Sequence, residues 1–267
     1  MKKYLCFFRI QFLNGLQYRA AAFAGIVTQF AWGFMELAMF SAFYRADSAV
    51  FPMTFPQLAS YIWLQQAFLA LFMTWFLDKE IFADISSGNI AYALSRPASL
   101  YPMWFFKNLA LRLSKAVLRC FPVLIVAALL PPPYNVSPPA SFSGFFMFLF
   151  SMVLGFLVVV SFCMLIYIST FYLMNPLGVR IVALSMTEFL SGAIIPLPFL
   201  PDGVRRVVSL LPFASMQNLP FRIYSGNLAG REMWLGILLQ GFWFLALSAF
   251  GRWWMKQALR RVVIQGG

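Results

Sequence analysis

Between Phe142 and Thr170 the chain carries no charged residue. A helix of about 20 apolar residues crosses the ~30 Å hydrocarbon core of a bilayer, so this run is long enough to span it, with tilt or extension into the interface taking up the excess. Lipid offers no partners to backbone N–H and C=O groups, so a run of this kind has to be helical. Only 10% of the whole chain is charged while 62% is hydrophobic and 19% aromatic. Soluble domains are about 25% charged. The expected fold class is therefore an all-α integral membrane protein with one membrane domain.

Apolar runs predict six transmembrane helices over about 20–43, 57–77, 109–130, 142–170, 179–195 and 233–254. Residues 1–19 read as an N-terminal amphipathic interface helix, with Leu5, Phe8, Phe12 and Leu16 at helical spacing beside Lys2, Lys3, Arg9 and Arg19. An extension of the first span into the headgroups leaves the same pattern. Arg9 and Gln11 interrupt the apolar run after Lys2 and Lys3, so a cleaved signal peptide is not expected. The domain proper is expected over 20–267. Pro131 to Pro139 is too rich in proline for a helix and predicts a turn outside the membrane. Residues 196–231 are too apolar for a free loop and too broken, by Pro198, Pro201, Pro212 and Pro220, for a span. They predict a re-entrant hairpin before the sixth helix.

The stretch 78–107 holds three acids, three bases, Gly88, Pro97 and Pro102, which excludes a single membrane-crossing helix. Six spans put both termini on one side together with this loop. That side collects Lys2, Lys3, Arg9, Arg19, Lys79, Arg96, Lys107, Arg112, Lys115, Arg119, Arg180, Arg252, Lys256, Arg260 and Arg261, fifteen of the twenty bases. The positive-inside rule then places both termini and the loop in the cytoplasm of a cell bounded by this membrane. Arg112, Lys115 and Arg119 are expected to snorkel to the headgroups from the start of the third span. The net charge of +12 is spread over the ends of apolar runs, so it reads as topology and contact with anionic lipid. A nucleic-acid partner would need a contiguous basic face and is not expected.

Little here can build an enzyme. The chain has no histidine, and Cys6, Cys120 and Cys163 lack paired spacing, so the common zinc sites and histidine acid–base chemistry are excluded. The phosphate-binding GxxxxGK[ST] run, HExxH and GxSxG are absent. Neither a catalytic residue nor a cofactor is expected. Glu188 falls near the middle of the fifth expected span, where a charge is costly. It either lines a path or holds the bundle together through a neighbouring helix. Glu36 lies nearer a helix end and reads as an interface residue.

Two stretches resemble the ABC-2-type exporter permeases, in their bacterial subgroup of this length. One runs from Glu80 to Asn108, with Ile85, Gly88, Ile90, Leu94, Arg96 and Pro97 in order, then Trp104-Phe105-Phe106-Lys107-Asn108. The other runs from Phe189 through Gly192, Ile195-Pro196-Leu197, Pro201 and Leu211-Pro212-Phe213 to Tyr224-Ser225-Gly226. The resemblance implies a bacterial inner-membrane exporter subunit powered by a separate cytoplasmic ABC ATPase dimer and paired with a second permease, the same or different. It implies coupling through Glu80, Asp84, Gly88, Arg96 and Pro97, and a pathway or gate at Glu188, Gly192, Pro196, Pro201 and Pro212. The cargo is not implied. Two other readings stand beside it. One is a self-contained ion-coupled transporter using Glu188, although no internal repeat or basic intramembrane partner accompanies that residue. The other is a membrane assembly protein that transports nothing.

Overall fold

The computed structural model describes residues 2–47, 51–95, 97–173 and 176–261, and these are all-helical, with no strand among them. Three helices are long and apolar enough to cross a membrane: α2 (Arg19–Ala46), α7 (Phe142–Ser169, continued by a 3-10 turn to Tyr172) and α11 (Gly230–Leu259). They mark a membrane protein. The other expected spans correspond to α3 (Phe55–Phe72), α6 (Leu100–Leu129) and α8 (Leu177–Leu190). At 1.5 Å per residue, α3 and α8 rise only about 27 and 21 Å. α6 is long, but its first half carries Lys107, Arg112, Lys115 and Arg119.

Several boundaries differ from the sequence expectation for physical reasons. α1 (Lys2–Gly15) is a helix separate from α2, not its continuation. It runs parallel to the first half of α6. Near one end the Tyr4 ring stacks on Phe106 at 6.1 Å, and at the other the Ser114 side chain takes the space a Cβ on Gly15 would need. α6 begins at Leu100, nine residues before the expected span, and so takes in Pro102. Proline is tolerated there because the first turn of a helix has no intrahelical acceptor for its N–H groups. α3 stops at Phe72, five residues early, because its last carbonyls are claimed from outside the helix, as described below.

The core forms around α3, which is buried on nearly every side, including Tyr61, Trp63, Gln65 and Gln66. α7 supplies the densest apolar layer, with Val158, Val159, Val160, Cys163, Met164, Tyr167 and Ile168 all buried. α11 and α10 (Asn218–Tyr224) pack on it.

Candidate functional site

The sequence-predicted residues fall in two separate places joined by α3. The first is the corner where α3 gives way to α4 (Lys79–Ser86) and α5 (Ile90–Leu94). Asp78 sits in extended conformation before α4, and its carboxylate accepts the Glu80 N–H at 2.9 Å. This is the capping role that aspartate fills best. α4 then buries Ile81 and Phe82 and exposes Lys79, Glu80, Ala83 and Ser86. Ser87 closes the helix, donating its N–H to Ala83 O at 2.9 Å, and Gly88 follows at φ +76°. That left-handed turn suits glycine, which has no Cβ to strain it. Asp84 is half-buried, Gly88 and Pro97 are exposed, and Arg96 lies outside the described residues. Together α1, α4, α5 and α6 enclose a cleft of about 430 Å³ lined by Phe7, Gln11, Asp84, Asn89, Tyr92 and Trp104 among others.

Three sets of bonds hold this corner. From α1, Lys3 Nζ donates to Pro97 O and Tyr4 OH accepts the Ser99 N–H at 3.0 Å. The Ser99 bond draws the Tyr4 phenol pKa below its ordinary value. From α6, Lys107 Nζ meets Asp78 Oδ2 at 2.7 Å and Glu80 Oε2 at 2.6 Å. Burial pulls the Lys107 pKa down, but hydrogen bonds and charge from Asp78 and Glu80 outweigh it and leave it raised. A raised lysine pKa stabilises fully below the unfolded value of about 10.4 and is lost as pH rises through the folded value. Through loss of the lysine charge, the corner is therefore expected to loosen in strong alkali. Glu80 is 79% exposed, so its pairing is screened and contributes about 0–1 kcal/mol. Asp78, at 9%, matters more because it is both cap and partner. Asp78→Ala is expected to cost about 1–3 kcal/mol, the sum of a lost cap and a weakened pair. Thermal melts in detergent, with Glu80→Ala as the near-neutral comparison, measure this.

The third set was not legible in the sequence. Arg112 is fully buried, and does not snorkel as expected. Its Nη1 donates to Leu71 O at 3.1 Å and Met73 O at 2.7 Å, and its Nη2 to Phe76 O at 3.3 Å and Cys163 Sγ at 3.1 Å. Its Nε donates to Asn108 Oδ1 at 2.6 Å. No carboxylate is among these partners. The charge is met by the carbonyl dipoles at the end of α3, where helix dipoles favour a cation. Asn108 Nδ2 and the Asp78 N–H both donate to Tyr167 OH, at 3.3 and 2.7 Å, tying the same corner to α7. The only signal in sequence is the Asn108/Arg112 spacing of four, which puts both on one helix face.

The second place is the exit of α8. Glu188 is half-buried and, among the described residues, makes no hydrogen bond or ion pair. Gly192 adopts φ +78°, and its carbonyl accepts from Tyr61 OH at 3.0 Å, while Ala193 O accepts from Gln65 Nε2. Both donors belong to α3. Pro196 is buried and precedes a 3-10 turn over Leu197–Phe199. Pro201 is exposed and precedes α9 (Asp202–Leu210), where Arg205 pairs with Asp202. Pro212 opens a turn that leads into a fully buried stretch from Phe213 to Phe221. This stretch is inserted against α7 so closely that Met216 O takes the space a Cβ on Gly155 would need. Gln240 of α11 secures it, accepting from Ser151 Oγ at 2.9 Å and donating to Ser151 O and Ser215 O at 3.1 and 2.9 Å.

The residues expected for coupling and those expected for a pathway therefore do not meet. Tyr61 and Gln65 hold the middle of α3 to the α8 exit, and Arg112 holds its C-terminal end to the corner, roughly 15 Å from Tyr61 along the helix. No protein-family model matches the chain, and no curated protein matches it.

Proposed function

We propose that this chain is the membrane-spanning subunit of an ATP-driven exporter of the ABC-2 type. It would have six spans, a re-entrant segment over 196–231 and both termini in the cytoplasm of a bacterial cell. Two permeases, the same or different, would share the pathway, and a separate ATPase dimer would supply the energy. One observation carries this reading. A short, capped helix, α4, offers an exposed face, while its root is tied through Tyr167, Asn108 and Arg112 to the end of α3, a largely buried helix whose middle holds the α8 exit. A push on α4 has a stiff route to Gly192 through α3. Transmission of this kind needs a rigid element that both sites bias.

Co-purification with candidate ATPases, followed by reconstitution, tests the assignment. Gly88→Ala forces an alanine into φ +76° with open space around it, so only backbone strain of about 1–2 kcal/mol is added. Asp84→Ala removes a carboxylate that, among the described residues, takes no part in the bonds that hold the corner. Both variants are expected to fold and to lose most ATP-driven transport. Retained transport in both would remove α4 from the coupling. An unchanged rate in a well-expressed Glu188→Gln variant would remove that residue from the pathway.

A further inference from the structure

A groove of about 550 Å³ lies between the C-terminal half of α2 and the turn that follows α6. Phe34, Ala38, Ser41 and Arg45 line it from α2, and Leu130 and Tyr134 from the other side. Steps of three and four put the α2 residues in one stripe, about 16 Å long at 1.5 Å per residue. Its chemistry changes in order. Phe34 and Ala38 are apolar, Ser41 Oγ lies 3.4 Å from Tyr134 OH, and Arg45 supplies a cation in the last turn of the helix. The Ser41 hydrogen bond, and then the Arg45 guanidinium, draw the Tyr134 phenol below its ordinary pKa, so the cation stands beside the two hydroxyls. Arg45 is exposed, and among the described residues no acid pairs with it.

The facing wall is fixed in advance. Trp63 Nε1 donates to Tyr134 O at 2.8 Å, the Ser137 N–H donates to Ser60 Oγ at 2.9 Å, and the Phe55 ring meets the Tyr134 ring edge-on at 5.5 Å. The turn is thereby held to α3, and a ligand would pay little to order it. Small-molecule sites are usually apolar clefts of about 300–1,000 Å³ with a few fixed polar groups, and this groove has that form. Because α2 is long and apolar enough to cross a membrane, Arg45 and Tyr134 at its end fall at headgroup depth, with Phe34 in the hydrocarbon beneath. A phospholipid has the same order, a phosphate outermost and an acyl chain below it. Guanidinium pairs with phosphate better than other side-chain cations do. The geometry points to a binding site for one anionic phospholipid, its phosphate on Arg45, Ser41 and Tyr134 and one acyl chain running along α2 to Phe34. The site uses no residue of α4 or α8, so it stands whether or not the transport reading does.

Native mass spectrometry of the full chain, stripped of lipid in detergent, tests this with phosphatidylglycerol, phosphatidylcholine and inorganic phosphate offered in turn. One phosphatidylglycerol is expected to be retained, several-fold more than phosphatidylcholine, and free phosphate not at all. Arg45→Gln removes the cation and Ala38→Trp fills the groove, and each is expected to cut that retention several-fold. Both positions are exposed, so melts of the two variants without lipid should match the wild type. Arg231→Gln, at an exposed base of α11 outside the groove, is expected to leave retention unchanged. Equal retention of the two lipids, retention that survives Arg45→Gln or Ala38→Trp, or binding of inorganic phosphate at the same concentration would each overturn the inference. A dimer that takes up no phosphatidylglycerol would overturn it as well, and would assign the groove to a second copy of the chain.

Discussion

Arg112→Leu is expected to lower the melting temperature more than any other single polar substitution in the chain. Leucine fills the space without supplying a donor, so Leu71, Met73 and Phe76 carbonyls and the Asn108 side-chain oxygen lose the bonds that now satisfy them. Each buried acceptor left unsatisfied costs about 1–3 kcal/mol, and this substitution strands several at once. The Arg112→Lys variant is expected to fall between. It keeps the charge, but a single ammonium cannot reach acceptors spread over α3, the α3–α4 turn, α6 and α7 as a planar fork does. Cys163 gives an independent readout. It is fully buried, and its sulfur touches the Arg112 guanidinium, whereas Cys6 is exposed. Maleimide should label only Cys6 rapidly in the wild type, and Cys163 as well in Arg112→Leu. An unchanged melt with Cys163 still protected would mean that the carbonyls find other partners.

Gly155→Ala is the second large effect. An alanine usually stabilises a helix interior relative to glycine by about 0.5–1 kcal/mol. Here the added carbon would collide with Met216 O, a backbone atom that cannot rotate away, and lie 3.2 Å from Gln240 Nε2. The buried stretch 213–221 would have to move off α7, and with it the Gln240 bonds to Ser151 and Ser215. Overpacking of this kind costs about 1–3 kcal/mol, and the lost bonds add to it. Gly178→Ala is the internal comparison, because its Cβ position has nothing within 4 Å. Thermal melts of the two should move in opposite directions, with Gly155→Ala down and Gly178→Ala flat or slightly up.

Much of the architecture follows from residue order. Uncharged runs required helices, Gly88 and Gly192 stand at left-handed turns, and prolines mark where the chain breaks after α8. The misplacements share one cause. Arg112 near a helix start looks like a residue reaching for headgroups, and only the third dimension shows α3 ending beside it with open carbonyls. The same contact explains why α3 stops at Phe72 although the apolar run continues. Pro102 looks like punctuation, but a proline in a first helical turn displaces no bond. Gly155 carries no sequence signal that distinguishes it from Gly178, since the difference is the inserted backbone of 213–221.

In the proposed exporter subunit, force would enter at α4 and reach the α8 exit through α3. The direct test is substrate flux in proteoliposomes holding this chain and a co-purifying ATPase, with and without Gly88→Ala and Asp84→Ala. ATP-dependent flux that both substitutions abolish, while the folded complex and its ATP hydrolysis persist, is the predicted result. Flux driven by a proton gradient alone, with no ATPase present and no effect of either substitution, would contradict it.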